Sequence, residues 1–223
     1  MRSAGGVIPH LEEREELIRT VRRMNALGIN HGSSGNASVR IDGGYLITPS
    51  GLAYEDLTPS DIVEMRFDGT VSGHQKPSSE WRFHHDLLAA RPDFNAILHT
   101  HGVAVMTLAC QRLELPPFHY MIAMAGGNTI RCAEYATYGT QALSDNALDA
   151  MRDRKACLLA NHGLLVGEVS LRRALALAVE IETLCDTYAR ILQTGAPPIL
   201  LSDAEMEEVR AQFAKGYGLP PGP

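Results

Sequence analysis

The chain has 223 residues, of which 45% are hydrophobic and 21% are charged, with a net charge of −6, a balance typical of one globular domain with a sizeable core. Charges of both signs are mixed along the chain, which argues against a nucleic-acid surface, and no apolar run approaches the ~20 residues of a membrane span. The four cysteines are widely spaced and the N-terminus lacks the apolar segment of a secretory signal, so we expect a cytoplasmic protein without disulfides.

The first third of the chain predicts one helix, two hairpins and a second helix. After a flexible leader (residues 1–9), apolar residues at helical spacing run from His10 to Leu27. "NASVRID" and "GYLITP" predict a hairpin, and "DIVEMRFDGTVSG" predicts another. "SSEWRFHHDLLAARPD" has a serine cap and a proline stop, which predict a helix from about Glu80 to Ala90. Its two histidines are expected to be surface or packing residues.

The remainder predicts further strands and helices of one α/β domain. "ILHTHGVAV" (97–105) has the pattern of a buried strand, and "QALSDNALDAMRD" that of a capped helix. Two strand pieces surround Asn161-His162-Gly163, a long helix covers Ser170 to Leu192, and "SDAEMEEVRAQFAKG" forms the last helix. We expect a single domain over 10–218 with a mixed, partly antiparallel sheet, followed by a flexible tail (219–223).

The two histidines of "ILHTHGVAV" point to a metal. Side chains alternate along a strand, so His99 and His101 would share a face with their Cα atoms roughly 6.5 Å apart. A pair of hydrogen-bonded core histidines is the alternative, but each buried ring then needs partners for a donor and an acceptor. His162, in a turn at a strand end, is the best third ligand, although it could also be a turn histidine bonded to backbone. Three neutral imidazoles with an open fourth position would form a catalytic zinc centre.

The stretch "KPSSEW" offers an anion site and a carboxylate. Ser78 and Ser79 lie at a helix start, where hydroxyl and N–H groups favour phosphate, although a plain helix cap is the alternative. Glu80 is either a first-turn carboxylate or a general base beside a divalent cation. The turns "GSSGNASVR" and "TPSG" could add the Asn36 side chain and backbone N–H groups to a phosphate nest.

Seven motifs in order resemble the class II aldolase/adducin family, over about residues 10 to 218. They are "SGNASVR", "ITPSGLAYEDL", "PSSEWRFH", "HTHGVAV", "HYMIAMAGGNTI", "CAEYATYGT" and "NHGLLVGEVSLRRAL". The resemblance implies a three-layer α/β/α domain, assembled as a homotetramer with active sites at subunit interfaces. It also implies a Zn²⁺ ion in each subunit, for which Mn²⁺ or Co²⁺ could substitute.

The resemblance assigns roles to individual residues. It makes His99, His101 and His162 the metal ligands, and makes Glu80 a carboxylate that touches the metal at rest and then acts as acid/base. The family's phosphate-binding positions fall on Asn36, Ser50, Gly51, Ser78 and Ser79. Tyr120 matches a tyrosine that reaches a neighbouring subunit's site and protonates the aldehyde-derived oxygen, and Tyr217 is the candidate for a C-terminal active-site tyrosine.

The implied reaction is the reversible cleavage of a ketose 1-phosphate to dihydroxyacetone phosphate and an aldehyde. "PSSEWRFH" and "HYMIAMAGGNTI" are most similar to the branch acting on L-fuculose 1-phosphate, which gives L-lactaldehyde. A pentulose-phosphate 4-epimerase and a methylthioribulose-phosphate dehydratase use the same scaffold and remain alternatives. A non-catalytic, adducin-like assembly module is a further alternative, but such a module would be expected to lose the metal-ligand histidines.

Overall fold

The computed structural model describes residues 8–216, within which lie six α-helices, three short 3-10 helices and eight strands. The helices are α1 (Leu11–Ala26), α2 (Trp81–Ala90), α3 (Val103–Cys110), α4 (Gln141–Ala150), α5 (Leu171–Gln193) and α6 (Asp203–Ala214). The strands are β1 (Asn36–Ile41), β2 (Gly44–Ile47), β3 (Val63–Arg66), β4 (Val71–Ser72), β5 (Ala96–Thr100), β6 (Cys132–Ala133), β7 (Ala156–Leu159) and β8 (Gly163–Glu168). Within residues 8–216 no helix is both long and apolar enough to cross a bilayer.

All eight strands form one sheet in the order β4-β3-β2-β1-β5-β8-β7-β6. Every neighbouring pair is antiparallel except β6 and β7, so the predicted mixed, partly antiparallel sheet is confirmed. Both predicted hairpins are present as β1–β2 and β3–β4. Side chains alternate along each strand, and each face of the sheet therefore carries its own hydrophobic core.

The two cores define the three layers of the domain. One face of the sheet packs against α1, α3, α5 and α6, and the other packs against α2 and α4. Helices α5 and α6 begin where the sequence predicts, because Ser170 and Ser202 accept hydrogen bonds from their first turns. The predicted serine cap of α2 is wrong, since α2 begins at Trp81 after Glu80, which makes no side-chain cap hydrogen bond. The predicted three-layer α/β/α fold is confirmed. Little of the predicted leader (1–9) and none of the predicted tail (219–223) lies within the described residues.

The prediction that residues 97–105 form one strand is wrong in its second half. Strand β5 ends at Thr100, and α3 starts at Val103 after Gly102, which has an extended conformation. The Glu182 carboxylate of α5 accepts hydrogen bonds from the N–H groups of Ala104 and Val105 and so caps α3. A uniformly apolar run fits a buried helix as well as a buried strand, so its pattern alone could not reveal this boundary.

Candidate metal centre

Three histidines from two neighbouring strand ends converge on one point. His99 is the penultimate residue of β5 and fully buried, His101 lies in the turn before α3, and His162 lies in the turn between β7 and β8. One ring nitrogen from each lies within 4.8 Å of the other two, and the Nε2 atoms of His99 and His101 are 2.7 Å apart. The prediction that His99 and His101 share one strand face is wrong, because β5 ends at Thr100 and His101 lies beyond it. The predicted convergence of their imidazoles is nevertheless present.

The pairing of β5 with β8 brings His162 to the other two histidines. Thr100 at the end of β5 lies opposite Leu164 at the start of β8, so the turn that carries His162 meets the turn that carries His101. Gly163 makes this approach possible, since a Cβ there would lie 2.4 Å from the Thr100 carbonyl oxygen and 2.7 Å from the His101 ring. The close contact explains the glycine that follows His162.

The rings of His99 and His101 are oriented and protonated so that each can offer a nitrogen lone pair to the cluster. The Nδ1–H of His99 donates a hydrogen bond to the Leu164 carbonyl oxygen at 2.9 Å, which leaves the Nε2 lone pair facing the cluster. Burial, together with the neighbouring His99 and His162, lowers the pKa of His101 to about 3. His101 is therefore neutral at pH 7, which is the protonation state a metal ligand requires.

Glu80 adds a buried carboxylate to the three imidazoles. It is the residue before α2, its Oε2 lies 3.3 Å from His99 Nε2, and its Oε1 lies 3.2 Å from His162 Nε2. Burial alone would raise the pKa of Glu80, but the adjacent His99 and His162 imidazoles outweigh burial and hold the pKa below its usual value. Oε1 is buried and accepts no hydrogen bond from any described residue. A divalent cation fits this donor set, because it would satisfy the orphaned oxygen and the three nitrogens together.

Two loops beside Glu80 hold most of the predicted phosphate-binding residues. The Ser50 N–H donates a hydrogen bond to the Lys76 carbonyl oxygen, and the Ser78 N–H donates one to the Thr48 carbonyl oxygen, each at 3.0 Å. The loop with Ser50 and Gly51 is thereby joined to the loop with Ser78 and Ser79. Asn36 lies deeper, and its amide is hydrogen-bonded to Glu80 and His84.

A cavity of about 300 Å³ opens over the cluster. It is lined by Glu80, His101, His162, Ser79, Ser34, Asn161, Ala136, Tyr135 and Tyr138. Sequence reasoning did not single out the two tyrosines, which are largely exposed and belong to "CAEYATYGT", a stretch without metal-ligand or acid/base spacing. The volume is at the small end of ligand pockets and suits a small metabolite.

Tyr120, one of the two predicted catalytic tyrosines, does not line this cavity. Tyr120 is 42% exposed, and its ring lies against His119 at a centroid distance of 4.8 Å. Tyr217 lies outside the described residues.

Comparison with known proteins identifies similar chains. A family model described as Class II Aldolase and Adducin N-terminal domain matches residues 15–189. The 5-methylthioribulose-1-phosphate/5-deoxyribulose-1-phosphate aldolase of Rhodospirillum rubrum is 53% identical over 205 residues, which cover 92% of each chain. The L-fuculose phosphate aldolase of Escherichia coli is 46% identical over 204 residues, covering 92% of this chain and 94% of the relative.

Solved structures agree with the sequence comparison. A structure titled L-fuculose 1-phosphate aldolase superposes with a TM-score of 0.89 at 39% identity and covers 94% of this chain and 100% of its own. The YgbL structure from Escherichia coli, titled a putative aldolase/epimerase/decarboxylase, superposes with a TM-score of 0.81 at 28% identity and covers 90% of this chain and 98% of its own.

Proposed function

The chain belongs to the class II aldolase and adducin family, and we propose that it is a zinc-dependent aldehyde-lyase acting on a deoxyketose 1-phosphate. The products would be dihydroxyacetone phosphate and a short aldehyde, in a reversible reaction. The observation that carries this proposal is the convergence of His99, His101 and His162 beside the buried carboxylate of Glu80. An assembly module would have no use for that donor set.

The three histidines would hold one Zn²⁺ per subunit, and Mn²⁺ or Co²⁺ could substitute in the same nitrogen-rich site. A divalent cation held by three neutral ligands keeps its full charge and would stabilise the negative charge that develops on the ketose oxygens when the C3–C4 bond breaks. The buried first ligand, His99, has its ring fixed by the Leu164 carbonyl, so the site is preorganised by the fold itself.

Glu80 would exchange the proton at C3. When the C3–C4 bond breaks, its electron pair would remain on C3 as an enediolate, and the hydroxyl on C4 would give its proton to a base and become the aldehyde carbonyl. Glu80, in its protonated form, would then give a proton to C3 to complete dihydroxyacetone phosphate, and in synthesis its carboxylate would remove that proton. Its Oε1, which accepts no hydrogen bond from residues 8–216, is the oxygen that is free for this transfer.

The two serine-bearing loops would bind the phosphate and so determine which carbon lies at the metal. The hydroxyls of Ser50, Ser78 and Ser79 suit a phosphate dianion, and Gly51 adds a turn with φ +77°. Asn36 would lie at the rear of this phosphate site, where its side-chain amide donates a hydrogen bond to Glu80.

Three sugar phosphates are candidates for the substrate. The sequence motifs favour L-fuculose 1-phosphate, with L-lactaldehyde as the second product, whereas the relative at 53% identity is named for 5-deoxyribulose 1-phosphate and its methylthio analogue. These sugars share a phosphate on C1 and a deoxygenated terminal carbon. Release of dihydroxyacetone phosphate from each sugar at equal enzyme concentration would rank their kcat/KM values and test the proposal.

The same assay separates the rival reactions of the scaffold. An epimerase would interconvert pentulose phosphates and a dehydratase would release water from methylthioribulose phosphate, and neither would form dihydroxyacetone phosphate. Absence of that product with all three deoxyketose 1-phosphates would overturn the proposal in favour of one of those reactions.

Replacing Ser79 by alanine tests the phosphate site. We expect the KM for the sugar phosphate to rise about tenfold with kcat little changed, because one hydrogen bond to a charged group is lost from binding. Inhibition by inorganic phosphate should weaken by a similar factor. Ser72→Ala, on the exposed strand β4, is the matched control and should leave both constants unchanged; an unaltered KM in Ser79→Ala would remove Ser79 from the site.

Tyr120 would act across a subunit interface of a homotetramer. Its exposed ring is not part of the cavity of its own chain, as expected for a residue that serves a neighbour. In synthesis Tyr120 would protonate the aldehyde-derived oxygen on C4, and in cleavage its phenolate would take the proton of the C4 hydroxyl. Tyr217 is proposed as a second tyrosine of that composite site.

Mixed tetramers test this arrangement directly. Tyr120→Phe and Glu80→Gln subunits, each inactive alone, should regain about a quarter of wild-type activity when co-expressed in equal amounts, because one interface in four then pairs an intact Glu80 with an intact Tyr120. Sedimentation would report the tetramer. No recovery in tetramers that contain both variants would show that Tyr120 does not act across the interface.

A further inference from the structure

A chain of buried polar side chains lies behind Glu80. His84, one helical turn after Glu80 on α2, is fully buried, as is Ser38 on β1, and Asn36 is 3% exposed. The Ser38 Oγ lies 2.7 Å from His84 Nδ1, the His84 Nε2 lies 2.5 Å from Asn36 Oδ1, and the Asn36 Nδ2 lies 2.9 Å from Glu80 Oε2. The result is a continuous path of hydrogen bonds from the sheet to the carboxylate.

The direction of every hydrogen bond in this chain follows from its last member. A carboxylate can only accept, so Asn36 must turn its NH₂ group to Glu80 and its carbonyl oxygen to His84. His84 must then donate from Nε2, and a neutral ring with that proton accepts at Nδ1 from the Ser38 hydroxyl. Burial, and then the nearby His99, lowers the pKa of His84 to about 3, which agrees with a neutral ring.

From this geometry we propose that His84 is a positioning residue, which fixes the Glu80 carboxylate through Asn36. With Oε2 held by the amide, the carboxylate cannot rotate, and Oε1 is the oxygen that faces His162 and exchanges the substrate proton. The donated hydrogen bond also favours the ionised carboxylate over the acid. The inference rests on the proposed acid/base function of Glu80.

A purely structural function for His84 makes different predictions. The ring packs 4.9 Å from the Phe83 ring, so its shape alone could matter to the core beneath the sheet. In that case any smaller side chain would reduce stability, and the loss of turnover would not depend on which ring nitrogen the new side chain imitates.

Two substitutions separate the ring nitrogens. The amide nitrogen of glutamine can occupy the place of Nε2 and still donate to Asn36, whereas asparagine reaches only the place of Nδ1 beside Ser38. We expect His84→Asn to lower kcat about 10- to 100-fold with KM and zinc content unchanged, and His84→Gln to retain most of the turnover. His85→Asn, the same substitution one residue later, is the control and should retain wild-type kcat, because His85 contacts the Tyr45, Phe67 and Trp81 rings and not Asn36.

A double-mutant cycle and a spectroscopic measurement complete the test. If His84 acts through Glu80, then His84→Asn should cause no further loss in a Glu80→Gln background. Nitrogen-15 NMR of labelled histidines should show the His84 proton on Nε2, with the signal assigned by its absence from His84→Gln.

Equal losses in His84→Asn and His84→Gln, additive losses in the cycle, or a proton on Nδ1 would each overturn the inference. A wild-type protein that cleaves no ketose phosphate would refute the proposed function instead, and the NMR result would still decide how the Glu80 carboxylate is held.

Discussion

Replacing Glu80 by glutamine is expected to leave one zinc bound per subunit and to lower kcat about 10³-fold, within the range for a lost general acid/base. Glutamine has nearly the same shape as glutamate and can keep the hydrogen bond from Asn36, but its amide cannot take up or return a proton. The three imidazoles remain in place, so metal binding survives. Zinc content and the release of dihydroxyacetone phosphate would be measured on the same preparation.

Glu64→Gln provides the matched control for that substitution. Glu64 is also a buried carboxylate, but it lies on β3 and pairs with Arg14 and Arg66 instead of the histidine cluster. It should retain near-normal kcat even if its stability falls. Near-normal turnover in Glu80→Gln would contradict the acid/base function of Glu80, and loss of zinc would show that the carboxylate is needed chiefly as a ligand.

Replacing His162 by alanine is expected to remove the metal and with it the activity. His162 lies in a turn with a partly exposed ring, so the substitution leaves little cavity in the core. After dialysis the variant should contain almost no zinc. Turnover should fall by more than about 100-fold, because even the outer partners of metal ligands contribute 10- to 100-fold.

Thermal unfolding gives a second measure of the same site. Zinc at about a thousand times its Kd should stabilise the wild-type protein by about 4 kcal/mol, which corresponds to a rise in Tm of about 8–16 °C for a domain of this size. His162→Ala should show almost no rise. His74→Ala, which removes an exposed histidine paired with Asp61, should respond to zinc like the wild type; a variant without His162 that still responds fully would place the metal elsewhere.

Local features of the fold could be predicted because they depend on residues that are close together in the sequence. The two-residue turn Asp42-Gly43 joins β1 to β2 with little choice of pairing, and Ser170 and Ser202 cap the helices that follow them. The order of strands in the sheet could not be predicted, because β1 pairs with β5 across an intervening stretch that contains another hairpin and a helix. Such pairings depend on the whole core, not on local pattern.

The histidine cluster could be predicted only in part. The motif predicts that His99 and His101 lie close together. It does not predict that α3 begins directly after His101 and Gly102, because the Glu182 carboxylate that caps α3 lies more than 75 positions later in the chain. The sequence predicts only that His84 is a surface or packing residue. Its hydrogen bond to Asn36 could not be predicted, because Asn36 lies 48 residues away on another element. Residues that support a site through distant partners carry no local signal of their own.

The most direct test of a metal-dependent aldolase is chelation and reconstitution of the wild-type protein. Purified protein would be assayed for dihydroxyacetone phosphate release from L-fuculose 1-phosphate and 5-deoxyribulose 1-phosphate, before EDTA, after EDTA, and after zinc is restored. We predict cleavage of at least one sugar, loss of that activity with the metal, and its return with about one zinc per subunit. Cleavage that persists in metal-free protein, or no cleavage by protein that holds its zinc, would contradict the account.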